Sequence, residues 1–151
     1  MRALLVLATI AFAGCTYGAP SASGTGLGAG VTTIDVSLTA HAASATSAGT
    51  SGGYAPAALT IPVGSHVQFL NADSFAHTAS LVSNAQTFPT SSPLGASALS
   101  AAGTTLSSAW SSGNLTAGAR SPVLLADRPG TYLYGCFYHY GAPMRGAIVV
   151  R

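Results

Sequence analysis

Near the end of this chain a thiol, an imidazole and a thioether stand close together, at Cys136, His139 and Met144. They lie in the stretch Tyr134-Gly-Cys-Phe-Tyr-His-Tyr-Gly-Ala-Pro-Met-Arg-Gly146, between two strand-like runs. Gly141 and Pro143 let the backbone curl, so that the three side chains of this C-x2-H-x4-M spacing can turn toward one point. Such a soft ligand set suits copper in both oxidation states. A fourth ligand must come from another strand. His77 stands just after the polar turn Asn71 to Ser74, at the start of an apolar run, and is the first choice. His66 is the alternative, but its run precedes that turn; His41, in a Ser/Ala-rich stretch, reads as solvated.

Two imidazoles and a thiolate with a long axial Met bond make a site for single-electron transfer, with no open position for substrate. The chain is therefore expected to be a carrier and not an enzyme. A dinuclear copper centre needs a second nearby Cys, and Cys136 has none.

The elements that must hold these residues read as strands. Lys and Glu are absent, which argues against long surface helices. Val31 to Leu38, Ala58 to Ile61, Ser65 to Leu70, His77 to Val82, Pro122 to Ala126, Thr131 to Cys136 and Arg145 to Val150 are the expected strands. Parity places Val67 with Phe69, and Tyr132 with Tyr134 and Cys136, on common faces. His41 to Gly53 reads as a loop, Leu94 to Ala102 as a short helix ended by Gly103, and Trp110 as a plug at a core edge. About seven or eight short strands with turn punctuation predict an all-β, antiparallel Greek-key sandwich.

The N-terminus carries a different message. Arg2 and the apolar run Ala3 to Ala13 outline an export signal, too short for a transmembrane helix. Ala11-Phe12-Ala13 fits ordinary cleavage, whereas Phe12-Ala13-Gly14-Cys15 resembles a lipobox with Phe in place of the usual Leu. The lipoprotein reading is favoured because lipidation accounts for a Cys at the end of the signal. Residues 16–30 are nearly all small and read as a flexible linker of roughly 20 Å mean span. The expected organisation is a signal over 1–15, this linker, and a metal-binding domain over 31–151. A Cys15–Cys136 disulfide is the competing use of the two cysteines. If Cys15 is lipidated or removed, Cys136 is left as a lone thiol outside the cytoplasm, which a metal would occupy.

Net charge is +2, from five Arg and three Asp scattered along the chain. That gives no basic stripe for nucleic acid and little field for steering a charged partner.

The upstream His77 after its Asn/Asp turn, Gly130-Thr-Tyr leading to Cys136, and Met144-Arg-Gly146 before a closing apolar strand resemble the blue copper proteins, or cupredoxins. The likeness runs from about Thr60 to Arg151. It implies one copper with His77, Cys136 and His139 as strong ligands, Met144 as the weak axial one, and copper at one end of the sandwich. Thr78 stands where many relatives have Asn, and its hydroxyl is the candidate for tying the two ligand loops together. Gly135 replaces the aromatic residue that precedes the ligand Cys in plastocyanin, which removes a remote electron path. Protein redox partners are then expected to dock at the His139 edge, among Tyr138, Tyr140, Ala142 and Pro143, with Arg145 pointing to solvent. The whole reading is a monomeric electron carrier of the cell envelope, bound to a membrane only through a lipid on Cys15. The alternative is an envelope copper-storage or delivery protein, against which the scarcity of Met counts; a structural sandwich with a vestigial site is a third reading.

Overall fold

The computed structural model describes residues 30–83 and 85–151. The export segment, Cys15 and all of the linker but Gly30 lie outside the described residues, and so does the Cys15–Cys136 pairing.

Strands form where β-branched and aromatic side chains alternate between turn residues. In chain order they are β1 (Val31–Val36), β2 (Ser44–Thr46), β3 (Gly49–Ser51), β4 (Tyr54–Ala55), β5 (Ala58–Ile61), β6 (His66–Asn71) and β7 (Ser80–Ser83). There follow β8 (Ala101–Ala102), β9 (Ser111–Ser112), β10 (Leu124–Leu125), β11 (Gly130–Gly135) and β12 (Arg145–Val150). One sheet has the order β10-β6-β1-β4 and the other β5-β12-β11-β7-β9-β8. Both contribute to one main core, which includes Ile34, Val67 and Phe69 from the first and Tyr132, Tyr134 and Ile148 from the second. The all-β sandwich is thus the observed architecture. Two pairings, β1 with β6 and β5 with β12, run parallel, so the sheets are mixed. The chain passes from β4 in one sheet to β5 in the other and back to β6, and such crossovers allow parallel neighbours.

Parity holds where the side chains are large. Tyr132, Tyr134 and Cys136 face the main core, while the intervening Leu133 joins Ala48 and Ala147 in a smaller cluster. Trp110 is buried in the main core, stacked on Phe69 with ring centroids 5.7 Å apart. Tyr54, on β4, meets Tyr134 edge-on at 4.8 Å.

Parity fails where the side chains are small. The supposed loop His41 to Gly53 contains the hairpin β2–β3, closed by the Thr46 hydroxyl donating to the Gly49 carbonyl at 2.6 Å. Ser, Ala and Thr give such a strand no apolar face to recognise. The expected helix over Leu94 to Ala102 shrinks to a single 3-10 turn, Ala96–Leu99, followed by β8. A segment so short and without an apolar stripe cannot offset the cost of helix nucleation. The strand expected from His77 begins only at Ser80, and His77 itself forms an isolated bridge with Leu115.

Candidate metal centre

Three structural segments meet at one end of the sandwich. The first is the turn between β6 and β7, shaped by Asn71: its Oδ1 accepts the Asp73 N–H at 2.9 Å, and its amide donates to the carbonyls of Phe75 (2.8 Å) and Leu115 (2.9 Å). Paired backbone bonds with Leu115, 3.0 and 2.8 Å long, then fix His77. The second segment is the loop from β11 to β12. The His139 carbonyl accepts the N–H groups of Ala142 (2.9 Å) and Met144 (3.1 Å), and Cys136 N–H donates to the Met144 carbonyl at 3.1 Å. These bonds curl the C-x2-H-x4-M stretch. The third is Gly52-Gly53, which pairs with Arg145 and lies against Met144.

The result is convergence. Cys136 Sγ lies 3.8 Å from His77 Nδ1 and 3.6 Å from His139 Nδ1. All three ligand atoms fall within 4.8 Å of one another, and among the described residues this is the grouping of His, Cys, Asp or Glu able to hold a metal ion. The donors are close enough for one ion to bond all three, and one sulfur with two imidazole nitrogens is a set that copper accepts. Cys136, His77 and Met144 are fully buried, whereas His139 is half-buried and reaches the surface. His66 does not join the group.

Hydrogen bonds around the site hold its parts in place. Thr78 N–H points to Cys136 Sγ at 3.4 Å, and Thr78 Oγ1 accepts the Phe137 N–H at 2.9 Å. The hydroxyl therefore ties the two ligand loops. Tyr54, held protonated by burial and by the nearby Cys136, donates to the Thr78 carbonyl at 2.6 Å. On the far side of His77, Nε2 donates to Asp73 Oδ2 at 2.8 Å. Burial alone would raise the Asp73 pKa, but hydrogen bonds from Ser37, Thr39, His77 and the Leu38 amide outweigh it and keep the carboxyl well below its ordinary value. Burial and the His77 ring lower the pKa of His139, with Asp73 acting in the opposite sense.

Asp73 and Asn71 escaped the sequence reading as parts of the site. The available signal was an acid one helical-turn spacing before a candidate ligand, in a turn already marked as polar. Gly135 also gains a reason: a Cβ there would stand 2.6 Å from Tyr140 Cδ2. Tyr140, expected at the surface beside His139, is correspondingly buried; its hydroxyl donates to the Pro89 carbonyl at 3.1 Å. Arg145, expected in solvent, instead lies over Tyr140 and Phe88, 4.8 and 5.6 Å from the ring centroids. The surface around His139 is formed by Tyr138, Phe75, Ala142 and Pro143.

Residues 41–151 match the family of copper-binding proteins that comprises plastocyanin and azurin. Among solved structures, the chain is similar to a purple cupredoxin from Nitrosopumilus maritimus, with a TM-score of 0.49 and 23% identity over 80% of this chain and 99% of that one. It is also similar to the reduced state of an amicyanin mutant, with a TM-score of 0.48 and 17% identity over 83% and 86% of the two chains. No curated protein sequence matches.

Proposed function

Because the chain belongs to the copper-binding plastocyanin/azurin family, we propose that it carries single electrons in the cell envelope through one copper that would be held by His77, Cys136 and His139, with Met144 as a weaker fourth ligand. The observation that carries this reading is the approach of both Nδ1 atoms to one buried sulfur. When bound, copper supplies the change between Cu(I) and Cu(II) that stores and releases the electron.

The chain's own residues make that change easy. Cys136 and His77 are held from behind by backbone and side-chain hydrogen bonds, so the donor atoms have little freedom to rearrange between oxidation states. Their burial excludes water from the sulfur. His139 is the ligand with an edge toward solvent, and electrons enter and leave there. Phe75 and Tyr138, 40% and 46% exposed, flank it and offer a protein partner apolar contact. Sparse charge agrees with docking of this kind. The envelope location rests on the apolar run Ala3 to Ala13, and attachment to a membrane on a lipid at Cys15.

Adding Cu(II) to the purified protein tests the reading. An intense thiolate-to-copper band in the visible, with narrow hyperfine splitting in the spin-resonance spectrum, is expected. Cys136→Ser should abolish the colour, and Met144→Leu should keep it while raising the reduction potential. Pale, ordinary Cu(II) spectra from the native protein would favour storage or delivery over electron transfer.

A further inference from the structure

Asp73 has a place that the copper ligands alone do not require. Its side chain is 4% exposed and that of His77 is not exposed at all. Oδ1 accepts the hydroxyls of Ser37 and Thr39, both at 2.7 Å. Oδ2 accepts the Leu38 N–H at 2.7 Å and the His77 Nε2–H at 2.8 Å. Ser37, Leu38 and Thr39 directly follow β1, so the carboxylate clamps the end of that strand to the ring of His77. Four donors converge on this one carboxylate, and the nitrogen of His77 that it engages is the one facing away from Cys136.

We infer that Asp73 is a positioning residue for the metal centre: it keeps the His77 proton on Nε2, aims the Nδ1 lone pair at the site, and lends the ring negative charge that favours Cu(II) over Cu(I). This rests on the copper reading above. The physical basis is general. A ligating imidazole whose other N–H meets a carboxylate is fixed in tautomer and orientation, and is a stronger base. The stronger donor, with an anion behind it, stabilises the more highly charged oxidation state.

Asp73→Asn separates charge from shape. With the amide nitrogen in place of Oδ1, the Ser37 and Thr39 hydroxyls can rotate to accept from it, and the amide oxygen still accepts from Leu38 and His77. All four contacts survive and only the charge is lost. The full chain carrying this change should bind Cu(II) about 10- to 100-fold more weakly, with a smaller loss for Cu(I). Each tenfold excess of the Cu(II) loss over the Cu(I) loss raises the potential by about 59 mV. Ser37→Ala, which leaves the charge in place, should keep a near-native potential. An unchanged potential in Asp73→Asn, or an equal shift in Ser37→Ala, would overturn the inference.

A second measurement needs neither metal nor variant. Nitrogen-15 NMR of the copper-free native protein should show His77 protonated on Nε2; protonation on Nδ1 alone would refute the assignment. Failure of the native protein to develop the thiolate–copper band would sink the electron-transfer reading instead, and the NMR result would still decide the role of Asp73.

Discussion

Thr78 shows how much one hydroxyl does at this site. Its Oγ1 is the acceptor for the Phe137 N–H, and its own N–H faces the Cys136 sulfur, so one residue spans both ligand loops. Thr78→Val keeps the shape and removes the acceptor. Leaving this partly buried N–H unpaired costs up to about 1–3 kcal/mol. Denaturant unfolding of the copper-free variant should show a loss of that size, and an unchanged midpoint would mean that the tie contributes nothing. Thr78 was suggested for this task by the family resemblance, in which it takes the place of an Asn after the first His ligand. For Asp73 the sequence offered only a spacing, four residues before His77, and the value of that acid depends on Ser37, Leu38 and Thr39 arriving from a distant strand.

At the scale of elements, the site is a seam between the β6–β7 turn, the β11–β12 loop and the approach to β4. Gly53, at φ 72°, belongs to the last of these, and a Cβ on it would overlap Met144 Cγ. Gly118 has the same φ of 72° with no atom near its would-be Cβ. The two glycines form a matched pair. Gly118→Ala should lose only the backbone penalty for a left-handed conformation, about 1–2 kcal/mol. Gly53→Ala should lose that and about 1–3 kcal/mol more from overpacking, and should shift the visible band of the copper form by displacing Met144. Equal losses with identical spectra would show that Gly53 does not position the methionine.

Across the whole molecule, two of the three Asp residues serve distinct ends. Asp73 supports the site, while Asp127 fastens the turn before β11 to the loop at Ser107, accepting the Ser107 N–H at 3.1 Å and its hydroxyl. The hydroxyl bond is the main cause of a lowered Asp127 pKa; burial opposes it, and the Ser107 amide and Arg128 add to it. The native state therefore binds this proton less readily than the unfolded chain does. Its contribution to stability is present above the ordinary carboxylate value of 3.8 and disappears as pH falls below that toward the native pKa. Thermal unfolding of the copper-free protein should show Asp127→Asn less stable than native at pH 6, with the gap narrowing as the pH drops through that range. A gap that stayed constant with pH would contradict the linkage.

The amino-acid sequence by itself determined the all-β architecture and the nature of the site. Alternation of large side chains such as Val67, Phe69, Tyr132 and Tyr134 encodes strands locally, and the Cys136, His139 and Met144 spacing lies within one loop. What only the tertiary structure decided was everything made by segments remote from each other: the parallel pairings of β1 and β5, the inward turn of Tyr140 against Gly135, Arg145 over two rings, and Asp73 behind His77. Those arrangements depend on which surfaces meet once the sheets close on their core, and side-chain periodicity along one strand carries no record of what will stand opposite it.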